Sequence, residues 1–174
     1  MWSSRGIGHG AWGVGKALLA LLALTLLSAC GFQLRGEPSV TLRPLSITQV
    51  TPAQTFADIR RALEQTRAPI VTGEFAAMNL RVLGESREKT VATITGTGRV
   101  YEFQLRLAVR YEVVVPGREI PLVPPTEIVT QRLITYSEAA PTAKEAEEQL
   151  LFKDMQVELA GRIVRQLAVA QRDL

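Results

Sequence analysis

Tyr101-Glu-Phe-Gln-Leu-Arg-Leu-Ala-Val-Arg-Tyr-Glu-Val-Val-Val115 is the stretch that decides the fold. Its odd positions, Tyr101, Phe103, Leu105, Leu107, Val109, Tyr111, Val113 and Val115, are all apolar, while the even ones from Glu102 to Glu112 run Glu, Gln, Arg, Ala, Arg, Glu. Successive side chains of a β-strand point to opposite faces, so this alternation predicts a strand with one buried and one polar face. At about 3.3 Å per residue it would reach roughly 50 Å. That is well beyond the usual strand, so it is expected to bend or to change partners along its length.

Upstream, residues 90–95 approach this strand across Gly96-Thr97-Gly98, whose glycines supply the positive φ of a tight hairpin. Residues 78–83 alternate Met78, Leu80 and Val82 with Asn79 and Arg81 and predict another strand; Glu85 to Lys89 reads as a polar turn. From Thr55 the spacing is helical, with Phe56, Ile59, Ala62 and Leu63 on one side and Arg60, Arg61 and Glu64 on the other, until Pro69 stops it. A short extended stretch, 45–50, precedes it and Pro52 closes that stretch. Downstream, Pro116-Gly117 ends the long strand, Pro121, Pro124 and Pro125 mark a connection, and the β-branched run 128–136 predicts the last strand. From Thr142 a long helix is expected, with Glu148, Phe152, Met155, Leu159, Ile163, Leu167 and Ala170 recurring at steps of three and four. Glu145, Glu147 and Glu148 near its start and Arg162, Arg165 and Arg172 near its end follow the order that complements a helix dipole. The element order β-α-β-β-β-α predicts an α+β fold: a two-layer α/β sandwich, with a mixed sheet of about four strands and two helices on one face. The chain of 174 residues accommodates one such domain, expected over 44–170 with a short tail at 171–174.

The beginning of the chain is different in kind. Gly-rich residues 1–16 carry Arg5 and Lys16, and an 11-residue apolar run, 17–27, leads to Ser28-Ala29-Cys30. Positive, apolar, then small is the order of a secretory signal. Eleven helical residues span about 16 Å, roughly half a hydrocarbon core, which argues against a permanent transmembrane helix. Leu27-Ser28-Ala29-Cys30 resembles the lipobox of bacterial lipoproteins. That resemblance implies cleavage of residues 1–29, S-diacylglycerol and N-acyl chains (palmitate among them) on Cys30, and a lipidated tether over 30–43. Several acyl chains, at about 0.8 kcal/mol per buried methylene, make attachment effectively permanent. Gly31, where many inner-membrane lipoproteins carry aspartate, points to the outer membrane.

Composition excludes whole classes of chemistry. Removing Arg5 and Lys16 from 20 basic residues leaves 18 against 17 acidic ones, a net charge of +1, too little for the broad positive field that nucleic acid requires. The single histidine, His9, and the single cysteine, Cys30, both lie in the first 30 residues. The mature domain therefore has no imidazole and no thiol pair, which removes Ser-His-Asp and Cys-His nucleophiles and His- or Cys-ligated zinc. Gly96-x-Gly98 lacks phosphate-loop spacing and is followed by a strand, so it reads as hairpin chemistry. Glu147-Glu148 and Glu85/Glu88 read as a helix start and a solvated turn, with no catalytic residue and no metal or other cofactor expected. Arg106 and Arg110 share the polar face of the long strand, where they make either a solvated mixed-charge surface or a contact with a polar or anionic partner.

Cys30 followed by Gly31-Phe32-Gln33-Leu34-Arg35, then Tyr101-Glu-Phe-Gln-Leu105, Val115-Pro-Gly-Arg118, Ala143-Lys144 and Lys153-Asp-Met155 to Arg165-Gln-Leu167 together resemble the LPS-assembly lipoprotein family, LptE. The resemblance spans Cys30 to about Leu167, nearly all of the mature chain. It implies a non-enzymatic outer-membrane lipoprotein on the periplasmic side, lodged as a plug and support inside the barrel LptD. It also implies binding of lipopolysaccharide (LPS) during insertion into the outer leaflet. In this family a lysine before the C-terminal helix is implicated in lipopolysaccharide binding, and Lys144 stands there. A second basic residue of the family has no equivalent at the aligned position, which Gly96 occupies; Arg99 is the nearby substitute. Arg106 and Arg110 are then candidates for contact with the barrel. The alternatives are an auxiliary lipoprotein of another envelope transporter and a lipid-anchored periplasmic hydrolase, which would need a histidine-free nucleophile such as S-x-x-K that does not occur.

Overall fold

The computed structural model describes residues 41–137 and 140–174. Strand β1 (Leu45–Gln49) leads into helix α1 (Thr55–Gln65), then β2 (Met78–Ile94), β3 (Val100–Val114), β4 (Val123–Thr135) and helix α2 (Pro141–Ala170). Among the described residues they form a four-stranded sheet in the order β1-β2-β3-β4. The β1-β2 pair is parallel and joined through α1, while β2-β3 and β3-β4 are antiparallel. The expected mixed sheet with two helices on one face is what the chain adopts.

The alternating stretch is β3. Its Leu105, Leu107, Val109, Tyr111 and Val113 are buried, together with Leu45, Met78, Leu80 and Val82 of β1 and β2. Ile59 and Leu63 of α1 and Phe152, Met155, Leu159, Ile163 and Leu167 of α2 close this core from above. The core begins at Leu42, inside the stretch read as tether. The amide of Arg43 donates to Gln171 Oε1 at 3.0 Å, and Gln171 Nε2 donates to the carbonyl of Thr41 at 2.9 Å.

The polar run at 85–89, expected as a turn, is instead the middle of β2. The cause is a bulge. Val82 faces Tyr111 and Gly84 faces Arg110, so Leu83 is the extra residue. One inserted residue exchanges the two faces of a strand. Before the bulge Met78, Leu80 and Val82 face the helices; after it Glu85, Arg87 and Lys89 do, opposite Val109, Leu107 and Leu105. These three side chains cover the rim of the core. Glu85 Oε2 accepts the amide of Thr55 at 2.8 Å, satisfying a free N–H of the first turn of α1, and Arg87 lies 5.3 Å over the Phe152 ring.

Two further boundaries move. β4 begins at Val123 and includes Pro124 and Pro125, which is tolerable because β4 is an edge strand and its pairing slips between Tyr111 and Val113. α2 starts at Pro141, so Glu145 lies beyond its first turn, and no acidic residue occupies the first turn or basic one the last. The expected complement to the helix dipole is therefore absent from the positions where it acts most strongly. α1 ends before Pro69 in a Schellman arrangement: the amide of Ala68 donates to the Leu63 carbonyl at 3.1 Å and that of Arg67 to Glu64 at 2.9 Å. Arg67 takes the left-handed position at φ 55.

Tyr111 is 1% exposed, and its hydroxyl donates to Gln166 Oε1 of α2. Burial raises its pKa above the ordinary 10.0. A raised folded-state value favours the neutral phenol, so this contribution is complete below the unfolded-state pKa and is lost as pH rises through the folded one. Stability is expected to fall above about pH 10. Tyr111→Phe should remove that alkaline component and cost about 1 kcal/mol at neutral pH, both readable by urea unfolding at a series of pH values.

Candidate functional site

Lys89 of β2 and Glu148 of α2, 59 positions apart, meet at the end of the sheet that carries the β2-β3 hairpin. The first turn of α2 comes down beside the last residues of β4, where the amide of Tyr136 donates to the Tyr101 carbonyl at 2.8 Å. Between them lies a cleft of about 120 Å³, lined by Lys89, Phe103, Ile134, Thr135, Tyr136, Pro141, Lys144, Glu145 and Glu148. That volume is roughly four waters' worth, room for one small polar group such as a single phosphate or carboxylate.

Lys144 Nζ donates to Thr135 Oγ1 at 3.1 Å and to Glu147 Oε2 at 2.8 Å. Across the cleft Lys89 Nζ pairs with Glu148 Oε2 at 2.5 Å and sits 4.6 Å from the centre of the Phe103 ring. Phe103 and Tyr136 pack edge to face with centroids 5.6 Å apart. Two ammonium groups thus flank an aromatic wall, each held by a carboxylate that an incoming anion could replace. An anionic group attached to an apolar body is the ligand this arrangement suits.

Lys89 escapes a reading of the sequence, because the polar run around it looks like a turn. The available signal is the spacing of Glu85, Arg87 and Lys89 at every second residue. Arg99 lies in the hairpin connection, where its carbonyl accepts the amide of Thr95 at 2.7 Å and its own amide donates to Thr95 Oγ1 at 3.1 Å. It is not among the residues lining the cleft. Arg106 and Arg110 do share the sheet face turned away from the helices, in different states. Arg106 is held by Glu88 at 3.3 Å and by Glu127 at 2.8 Å; Arg110 is exposed. Arg81–Glu112 at 2.8 Å and Gln104–Gln131 at 3.0 Å extend this polar ladder. Cys30 lies outside the described residues. Among the described residues no group of three or more His, Cys, Asp or Glu side chains could hold a metal, and no helix is long and apolar enough to cross a membrane.

The model of the LptE family, described as lipopolysaccharide-assembly, matches residues 42–167. The LPS-assembly lipoprotein LptE of Yersinia pestis (strain Pestoides F) is 32% identical over 155 residues, covering 86% of this chain and 73% of that protein. Among solved structures, lipoprotein B from Nitrosomonas europaea superposes with a TM-score of 0.69 at 29% identity, covering 82% of this chain and 93% of that one. Rare lipoprotein B from Shewanella oneidensis does so with 0.65 at 27%, covering 75% and 97%.

Proposed function

This chain belongs to the LptE family of lipopolysaccharide-assembly lipoproteins, and from that premise we propose that it is a lipid-anchored plug and support of the outer-membrane barrel LptD. It works by binding, without covalent chemistry. Acyl chains on Cys30 hold it to the periplasmic side of the outer membrane, with the following residues up to about 40 as tether, before the core begins at Leu42. The polar sheet face bearing Arg106 and Arg110 meets the barrel wall, which is polar on its inner side.

The observation that carries the reading is the cleft pairing Lys144 and Lys89 with Phe103 and Tyr136. Lipopolysaccharide presents phosphates on an acylated sugar, an anion with an apolar body. A phosphate oxygen replacing Glu147 on Lys144 would form a charge-assisted hydrogen bond, and Arg99 on the neighbouring hairpin could take a second contact. Lys144→Asp is expected to weaken binding of purified lipopolysaccharide by roughly ten- to a hundredfold, the value of one or two such bonds. Thermal unfolding should barely move, because the Lys144 side chain bonds to Thr135 and Glu147 at the protein surface. Unchanged affinity in a surface-immobilised binding assay would remove Lys144 from the site.

A further inference from the structure

On the sheet face turned away from the helices there is a notch of about 250 Å³, lined by Leu83, Gly84, Glu85, Ser86, Ala108, Arg110 and Glu127. Strand register builds it: Gly84 lies opposite Arg110, Ser86 opposite Ala108, and Arg110 opposite Glu127. Small residues on adjacent rungs leave a depression, while the longer side chains beside them form walls. Ala108 is only 3% exposed although its side of the sheet carries no helix.

The fold does not require Gly84 to lack a side chain. Its φ is outside the left-handed region, and an added Cβ would meet nothing within 4 Å. The open floor is thus available to something outside the domain. Arg110 borders it with a guanidinium that, among the described residues, has no acidic partner. The two carboxylates nearby are already engaged. Glu127 is held by Arg106 at 2.8 Å, and Glu85 by Arg87 at 2.8 Å and the Thr55 amide at 2.8 Å.

We infer that this notch receives an acidic side chain of a protein partner, its carboxylate on Arg110 and its methylene stem over Gly84 and Ala108. A guanidinium fork matches a carboxylate in geometry, and the small apolar floor suits an aliphatic stem. Glu127 at the rim opposes the second charge of a phosphate and so favours the singly charged carboxylate. The inference rests on the proposed function, since the barrel is the partner that would present this residue.

The test uses the full lipidated chain, tagged at the C-terminus and extracted from envelopes in detergent, as parent, Arg110→Glu, Arg110→Lys and Gly84→Leu. Arg110→Glu and Gly84→Leu should each lower the co-purified barrel by about tenfold or more, and Arg110→Lys by less. Thermal unfolding and lipopolysaccharide binding should stay at parental values. If the parent recovers the barrel and both severe variants recover as much, the notch is not a contact, and the proposed function still stands. If Arg110→Glu instead loses lipopolysaccharide binding, the occupant is a phosphate and the acidic side chain is ruled out. If the parent recovers no barrel, the proposed function falls and takes this inference with it.

Discussion

Replacing both Arg61 and Lys153 by methionine is expected to destabilise the domain by about 3–5 kcal/mol, the usual consequence of leaving a buried charge without its partners. Asp58 sits in the first turn of α1 with its side chain 1% exposed, facing α2. Lys153 Nζ, reaching across from α2, approaches its two carboxylate oxygens at 2.7 and 2.8 Å, and Arg61 Nη1 approaches Oδ1 at 2.6 Å. The environment is lopsided, because the side chains of Lys153 and Arg61 are 50% and 57% exposed. Removing the cations strands the carboxylate in a poorly hydrated seam between the helices. Removing the carboxylate only returns two cations to water, so Asp58→Leu is expected to cost much less than the double methionine variant. Methionine preserves the stems that pack beside the seam, so the difference reports charge and not volume. Urea unfolding of the purified proteins measures both, and a double variant within about 1 kcal/mol of the parent would mean that water already reaches Asp58.

Changing Cys30 to alanine is expected to move nearly all of the protein from the membrane to the soluble fraction. A single acyl chain holds a protein only marginally, and three chains at about 0.8 kcal/mol per methylene hold it permanently. Among the described residues there is no membrane-spanning helix, and the mature charge of about +1 gives a negligible attraction to anionic headgroups. Fractionation of envelopes and mass spectrometry of the amino-terminal peptide check this together. A variant that stays with membranes after high-salt washing would show that the anchor lies elsewhere. One that stays only in cells containing the barrel would show that the plug itself retains the protein.

Much of this architecture is legible in the amino-acid sequence. The period of two in β3, the glycines at 96 and 98 and the helical spacing from Thr55 and from Thr142 are local signals, and each corresponds to the expected element. Gly98 does adopt a positive φ, 78°, in the hairpin connection. The sites are less legible. Lys144 is distinguished from other surface lysines only through resemblance, and Lys89 is hidden because the bulge at Leu83 breaks the alternation that would have marked 85–89 as strand. Asp58 gives no local signal, since a single acidic residue beside an apolar stripe usually points to solvent; its burial becomes intelligible only with α2 laid against it.

Period and composition decide which segments are strands, which are helices and which faces are apolar, because these follow from the sterics of a few neighbouring residues. The phase of β2 beyond its bulge, the meeting of Lys89 with Glu148 and the pairing of Asp58 with Lys153 are decided by the assembled sheet and helices. The last two join residues 59 and 95 positions apart. Their energies arise from what lies opposite in space, and desolvation at such contacts has no counterpart in any short window of the chain.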